Sequence, residues 1–492
     1  MLLRLEKVYK EMSEQEGVTV KKSEDFSEWY TQVVLKSGLA DYAPVKGCMI
    51  IRPYGYSIWE KIREIFDGMI KETGVRNAYF PLFIPERLLK KEAEHFEGFT
   101  PEVAWVTMGG KRKLEEKLAV RPTSETIMYE TFSKWIRSWR DLPFRVNQWC
   151  NIVRWETKAT KLFLRTREFL WQEGHTCHAT KEEADEEVRL RLEQYEKLVE
   201  EYLAIPVIAG KKSEGEKFAG ALYTTTLEAM MPDGRALQMA TSHHLGQNFS
   251  KAFGIKFLDK DGKGKHVWQT SWGLSTRTIG ALVMVHGDDK GLVLPPRVAP
   301  YQVVIVPIYY EKGEKKVVLK KAKEISKRLR KEDIRSVLDD REEYTPGWKF
   351  NEWELKGVPL RIEIGPKDVK NEQVVLARRD NSEKKVIKEK ELIRVVKRTL
   401  EDIQKNLFKK AKKCLEEHIT LVNDFEEFKE VLEKKRGFLK APWCGELKCE
   451  EKIKEETGAT VRVIPFEEKV KSSKCFFCGK KAKCVAYFAK AY

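Results

Sequence analysis

The sequence predicts an α+β chain: a strand-rich region braced by helices, then a compact α/β module, then a small cysteine-bearing tail. Three observations carry this reading. Between about residues 100 and 290, short β-prone runs alternate with polar turns, and one charged helix from about Lys181 to Leu203 interrupts them. After Pro300 the rhythm becomes strand, helix, strand, helix. Six of the nine cysteines lie beyond residue 400.

The elements follow in chain order. From Tyr54 to Thr73 the residues Ile58, Trp59, Ile62, Ile65, Phe66, Met69 and Ile70 recur at helical spacing, and Gly74 is placed to end that helix. "VRNAYFPLFIP" is β-prone, but Pro81 and Pro85 bar it from a central ladder, so it belongs at a sheet edge or a subunit boundary. "DKDGKGKH" reads as a hairpin loop. The prolines of "GLVLPPRVAP" mark a boundary, which divides the chain into 1–298, a module over 299–405, and a tail over 406–492. Within the module, "YQVVIVPIYY", "KKVVLKKAKEISKRLRK", "IRSVLDD", "GWKFNEWELKG", "VPLRIEIG" and "EQVVLARRD" alternate as a three-layer α/β unit requires.

A chain of 492 residues with 42% hydrophobic content can bury several cores, which excludes a disordered protein. The net charge of +16 suits a polyanionic partner such as nucleic acid, although a solvated Lys/Glu surface of a heat-adapted protein would also give it. There is no run of eighteen apolar residues, and "MLLRLEKVYKEM" lacks the features of a signal peptide, so a cytoplasmic protein without a membrane partner is expected. Cys48, Cys150 and Cys177 then read as small core residues of a reducing compartment. In "HTCH", His175 and His178 point to opposite faces of a strand, which argues against a metal there.

The richest stretch is "NIVRWETKATKLFLRTREF", from Asn151 to Phe169. Read as a strand–turn–strand hairpin, it puts Arg154 and Glu156 on one face, and Arg165 and Arg167 together on the returning strand. Surface ion pairs would account for such charges on a single hairpin. A guanidinium fork, however, binds phosphate bidentately, while a carboxylate accepts from an exocyclic amine; together they describe a cradle for ATP. The chain has no G-x-x-x-x-G-K-[ST] loop, no G-x-G-x-x-G after a strand and no kinase-like motif set, so an ATP site would rest on antiparallel sheet.

At these residues the chain resembles the class II aminoacyl-tRNA synthetases. "RWE" with Arg165 is similar to their motif 2, the Tyr54–Thr73 helix with "GVRNAYFPLF" to motif 1 at a dimer interface, and "SWGLSTRTIGALVMVHGDD" to motif 3 with Arg277. With "RPTSET", "REFLWQEGH" and "TSHHLGQNF", the set resembles the prolyl-tRNA synthetases of archaeal/eukaryotic type from about residue 20 onward. The resemblance implies an antiparallel catalytic sheet flanked by helices, an α/β anticodon-binding domain and a small C-terminal α/β zinc domain. It implies a homodimer whose substrates are L-proline, ATP with Mg²⁺, and tRNA(Pro).

It also implies roles for residues. Arg154 would hold the α-phosphate and the substrate carboxylate, Glu156 would accept from adenine, Phe169 would stack on the base, and Arg165 and Arg277 would hold the outer phosphates. Gln238, Thr241 and Ser275 would line the nucleotide side. Thr123, Glu125, Trp171, Glu173, Phe218 and His243 would form the proline pocket, in which a carboxylate and a hydroxyl accept from the secondary ammonium and flat aromatics wall the ring. An aromatic slot of this kind discriminates by about 1–3 kcal/mol per methylene, so cysteine and alanine should leak in. The interval between motifs 2 and 3 has no room for an editing insertion, and Met239 and Ala240 stand where relatives often carry glycine.

In the module, Glu354, Arg361 and Lys367 are the candidates to read the two guanines of a proline anticodon, although a solvated charged edge would look the same. In the tail, Cys444 and Cys449, then Cys475 and Cys478, form two close pairs separated by twenty-five residues, the arrangement of a structural four-thiolate Zn²⁺ site. The resemblance extends to the terminal "AYFAKAY" and implies that Tyr492 tucks toward the catalytic domain. Two alternatives remain at this point: a non-catalytic paralogue that binds tRNA for regulation, and a synthetase for threonine or serine. Retention of Arg154, Arg165 and Arg277 speaks against the first, and the absence of a cysteine where threonine enzymes hold a catalytic zinc speaks against the second.

Overall fold

The structure, a computed structural model, describes residues 17–93, 102–155, 159–468, 470 and 474–492. An eleven-stranded sheet organises the described chain. Six of its strands run antiparallel in the spatial order Ile208–Lys211, Tyr223–Met230, Ala236–Gly246, Trp268–Ser275, Glu168–His178, Phe144–Val153. The two-residue strand Arg76–Asn77 closes that edge in parallel, and Phe83–Pro85 is an edge strand of a separate three-stranded sheet. Both lie in the proline-containing segment, as the missing N–H groups demand.

Helix Pro53–Glu72 starts on a proline at its first turn and buries Ile58, Trp59, Ile62, Phe66 and Ile70 along one stripe. Gly74, at φ +80°, takes the left-handed conformation that lets the chain leave. The buried stripe meets the sheet through Phe66, which stacks on Tyr195 at 4.7 Å and sits edge-on to Trp272 at 6.3 Å. Burying a side chain of this size is worth about 1.5–3 kcal/mol. Tyr195 belongs to the helix Lys181–Lys197, which a Thr180/Glu183 capping box starts and a π-helical turn over Leu198–Tyr202 extends. Beneath Trp272, Gly174 leaves room that a Cβ would occupy at 2.1 Å from the indole.

The module after Pro300 is a five-stranded sheet in the order Ser336–Leu338, Val303–Pro307, Leu360–Ile364, Gln373–Arg378, Lys384–Lys388, the first three parallel. Helices Lys312–Lys331 and Leu392–Glu417 pack on one face and Pro346–Leu355 on the other, which gives three layers. Arg379 ties the module to the preceding region with two bonds to Asp288, at 2.6 and 2.7 Å. The helix Leu392–Glu417 passes through residue 405 and delivers the chain into the tail.

The tail adds four strands to the same sheet, Ile419–Leu421, Phe438–Trp443, Cys484–Ala489 and Thr460–Pro465. The seam is antiparallel pairing of Ile464 with Lys211 and Pro465 with Gly210. A Cβ at Gly210 would lie 2.2 Å from the Ile464 carbonyl oxygen, so only glycine permits this approach. Tyr492 returns to the central strands, where its hydroxyl donates to Asp233 at 2.6 Å and its N–H to the Ala236 carbonyl at 3.2 Å.

Candidate active site

Strands Phe144–Val153 and Glu168–His178 pair antiparallel until Val153 meets Glu168. The ladder therefore stops before the charged residues. Arg154, Arg165 and Arg167 stand in the connection, not on the strands, which corrects the expected hairpin. One more bond, from the Arg154 N–H to the Arg167 carbonyl at 2.9 Å, closes the neck, and Lys161 and Arg165 form a small bridge beyond it. Phe163 bends that turn at φ 62°. Arg165 and Arg167 consequently part company, against expectation. Arg167 lies over the Trp155 ring at 4.4 Å and donates to the Lys46 carbonyl at 3.0 Å, facing the Gly47 loop. Glu156 lies outside the described residues.

Arg154 turns inward. Its Nε donates to the Pro122 carbonyl at 3.2 Å, and its guanidinium lies 5.8 Å from the Phe169 ring centre and 5.9 Å from that of Trp171. Both rings sit on one face of the Glu168–His178 strand, two residues apart, together with Glu173 and His175. Arg277, the first residue of helix Arg277–His286, faces them from the end of strand Trp268–Ser275. Loss of water contact first, then the neighbouring Arg154 and Arg165 cations, hold its guanidinium down at about 10. Three positive groups thus lie near one another, an arrangement that favours a polyanion.

Beside them is a cavity of about 620 Å³. Arg154, Phe169, Gln238, Thr241, Ser275 and Arg277 line it together with Thr123, Glu125, Trp171, Glu173, Phe218 and His243. Arg165 stands behind the lining, close enough to act on Arg277 by charge. Gln238 and Thr241 are an odd number apart and would face opposite ways on a regular strand. The register slips where Leu227 pairs with Ala240 but Glu228 with Gln238, and Met239 is the extra residue of that bulge. With the bulge in place, Gln238, Met239, Ala240 and Thr241 all contribute to the cavity lining.

Two carboxylates of the lining are buried. Glu125 accepts from the Thr123 hydroxyl at the start of helix Glu125–Trp135. Glu173 accepts from the Ser124 hydroxyl and from Gln148 Nε2 at 3.1 Å, and lies 3.2 Å from His175 Nε2, whose Nδ1 is 2.9 Å from the Tyr129 hydroxyl. Ser124, Gln148 and His175 contact Glu173 directly and Tyr129 reaches it through His175; the sequence offered His175 only as a metal candidate, although the alternation of 171, 173 and 175 places it on the Glu173 face, and it gave no signal for Ser124, Gln148 or Tyr129. His243 packs against Phe218 and sits between two hydroxyls, Thr224 at 2.9 Å from Nδ1 and Thr241 at 3.0 Å from Nε2. Burial, then the nearby His175, pushes its imidazole down to about 3, so it is neutral. Trp171 Nε1 donates to Cys150 Sγ at 3.2 Å, and burial pushes that thiol up to about 12.

In the module, Arg361 is buried and holds Glu363 at 3.0 Å and Glu354 at 3.3 Å, while Glu354 also meets Lys290 at 3.3 Å. The structure thus joins Glu354 to Arg361. Lys367 is exposed in the short helix Pro366–Lys370, past the opposite end of Arg361's strand, so the three do not form one patch. In the tail, the sulfurs of Cys444, Cys449, Cys475 and Cys478 all lie within 4.8 Å of one another, with Cys449–Cys475 at 3.9 Å and Cys444–Cys478 at 3.7 Å. A tetrahedron with Zn–S of about 2.3 Å has S···S edges of about 3.8 Å. The donor set fits zinc.

The chain matches three family models: "tRNA synthetase class II core domain (G, H, P, S and T)" over residues 105–286, "Anticodon binding domain" over 302–399, and "Prolyl-tRNA synthetase, C-terminal" over 425–492. It is 58% identical to a proline–tRNA ligase of Natranaerobius thermophilus over 96% of this chain and 97% of that protein. It is 55% identical to proline–tRNA ligase 2 of Clostridioides difficile over 96% and 97%. The crystal structure of prolyl-tRNA synthetase from Cryptosporidium parvum complexed with halofuginone and AMPPNP superposes with a TM-score of 0.93 at 48% identity, covering 97% of this chain and all of that one. A class II core, an anticodon module and this C-terminal unit in one chain, at such identity over its length, establish that the chain belongs to the prolyl-tRNA synthetases.

Proposed function

We propose that the cavity activates L-proline with ATP to prolyl-adenylate and releases pyrophosphate, after which the prolyl group passes to the 3′-terminal adenosine of tRNA(Pro). The carrying observation is that one cavity gathers Arg154, Arg277 and aromatic rings with the buried carboxylates Glu125 and Glu173 and the neutral His243. In this reading Arg154 bridges the proline carboxylate and the α-phosphate, Arg165 and Arg277 hold the outer phosphates of ATP, which would enter with Mg²⁺ to offset their charge, and Phe169 stacks on adenine. Gln238, Thr241 and Ser275 border the nucleotide. Thr123, Glu125, Glu173 and His243 bind and orient proline, and Trp171 and Phe218 wall its ring.

No side-chain nucleophile is needed. A proline carboxylate oxygen attacks the α-phosphorus in line, pyrophosphate leaves with its electrons, and a mixed anhydride remains; the adenosine hydroxyl then attacks the prolyl carbonyl and AMP leaves. Placing the reactants is worth up to about 7–11 kcal/mol, and the cations offset the gathering negative charge.

The reading extends to the whole chain as a catalytic unit (1–298), an anticodon-binding unit (299–405) in which Glu354, Arg361 and Lys367 approach the anticodon, and a zinc unit (406–492). Zinc held by the four thiolates would cross-link the tail and leave no open position for substrate. A second copy would cover the exposed Tyr79 and Phe83 of the motif 1 segment, as a homodimer requires. No helix among the described residues is long and apolar enough to cross a membrane.

The test is ATP–pyrophosphate exchange with proline, cysteine, alanine and threonine in parallel. Proline should dominate, with cysteine and alanine above background. Exchange strongest with threonine would overturn the substrate assignment, and none with any amino acid would favour the non-catalytic reading.

A further inference from the structure

The cavity wall beside His243 is a strap, residues 212–219, from which Glu216, Lys217, Phe218 and Ala219 reach the lining. Its stem is anchored. Lys212 is buried, donates to Glu228 at 2.7 Å and to the Arg462 carbonyl at 3.0 Å, and Arg462 itself grips Glu228 at 2.9 Å. Its far end is hooked by the Phe218 N–H to Thr224 Oγ1 at 2.9 Å. The middle of the strap, from Ser213 to Glu216, is tied to the tail. Ser213 Oγ donates to Glu450 Oε1 at 2.5 Å, and Gly215 lies so close that a Cβ would come within 3.0 Å of the Glu450 carboxylate. Glu216 then pairs with Lys454 at 3.4 Å.

Glu450 and Lys454 are one turn apart on helix Leu447–Thr457, and Glu450 directly follows Cys449 of the four-thiol cluster. A carboxylate that is buried, as Glu450 is at 5% exposure, is costly unless a partner requires it. Its hydrogen-bonded partner is the strap. We propose that Glu450 is a positioning residue of the amino-acid pocket: through Ser213 and Gly215 it holds the strap against the cavity, so that the C-terminal unit sets the affinity for proline and not that for ATP. This rests on the assignment of the Phe218–His243 end to the amino acid.

The test is a double-mutant cycle of Ser213→Ala and Glu450→Ala in the full chain, read as separate KM values for proline and ATP in pyrophosphate exchange, with hydrogen exchange of the 211–222 backbone as an independent readout. Each single variant should raise the proline KM by about tenfold while the ATP KM stays within about twofold, the double variant should be no worse than either single, and the strap should exchange faster. Glu450→Gln, whose amide oxygen can still accept from Ser213, should recover most of the proline affinity. Ser213→Ala removes the contact from the catalytic side, so the test survives even if the tail tolerates no change at 450. Additive effects, equal losses for proline and ATP, or an unchanged strap would overturn the proposal. Phe218→Ala tells the two readings apart: if it too leaves the proline KM untouched, the pocket assignment fails; if it raises the KM while the Ser213 and Glu450 variants do not, only the strap proposal fails.

Discussion

The Phe218 ring lies 4.8 Å from the His243 imidazole, tilted 36°, so the aromatic wall and the hydrogen-bonding wall of the proposed proline pocket are one surface. With its ionisation held down at about 3, His243 offers one donor and one acceptor to Thr224 and Thr241 and carries no charge to repel a prolyl ammonium. The proline KM should therefore show no titration near 6.5. A steep rise in KM between pH 7 and 6 that vanishes in His243→Gln would contradict this.

Stability, in contrast, should depend on acid. His178 and His286 are buried, and burial pushes both down to about 4. An unfolded histidine protonates near 6.5, so between about 6.5 and 4 the unfolded chain holds more protons than the native one. Stability is then lost as pH falls through that window, by on the order of 1 kcal/mol per pH unit for each residue, and the slope flattens below it. Urea titrations from pH 7.5 to 5 should show it, and His286→Gln should reduce the slope.

Neighbouring cations give the proposed nucleotide site a distinctive signature. Because burial, then the Arg154 and Arg165 cations, hold Arg277 down, replacing it removes a buried charge and its repulsion with those neighbours. Arg277→Met should cut kcat/KM for exchange by roughly 10²–10³ while the melting temperature holds or rises. Arg167→Met, which alters a residue packed on Trp155 and the Lys46 carbonyl, should leave exchange within about threefold. Equal losses for both would mean that the connection is merely structural.

The site residues were legible through the family resemblance, and periodicity added which of them share a direction. Trp171, Glu173 and His175 share a face by parity, the buried stripe of helix Pro53–Glu72 repeats as its sequence does, and two cysteine pairs closed into one cluster. What was not legible depends on the rest of the fold. The bulge at Met239 reverses the parity that would separate Gln238 from Thr241. The ladder ends at Val153, so Arg165 and Arg167 follow a turn instead of a strand. The seam of Ile464 on Lys211 joins segments some 250 residues apart, beyond any local pattern.

The thiol cluster should act on stability before chemistry. Cys475→Ser should lower bound zinc from one per chain and the melting temperature by about 5 °C or more, with the ATP KM unchanged in the folded fraction. Metal analysis and calorimetry on the same sample check it. Intact folding with adenylate formation lost would show that the cluster serves the reaction directly.

Anticodon reading should separate cleanly from activation, since Glu354 and Arg361 lie in the α/β module and not in the cavity lining. Arg361 is buried between Glu363 and Glu354, so Glu354→Ala frees one side of its guanidinium and exposes it to a different partner. Lys367 stands apart on its own helix and can meet only a different nucleotide or a phosphate. Both Glu354→Ala and Lys367→Ala should leave pyrophosphate exchange within about twofold. Glu354→Ala should lower kcat/KM for aminoacylation by about tenfold to a hundredfold, as expected when a base contact worth about 1–3 kcal/mol is lost, and should narrow the gap between guanine and adenine in the anticodon. Lys367→Ala should weaken all tRNAs alike and reduce the salt dependence of binding by about one charge. If Lys367→Ala instead changes base preference while Glu354→Ala does not, the reading face lies at the Pro366–Lys370 end of the sheet, and the buried Arg361 pair is scaffolding.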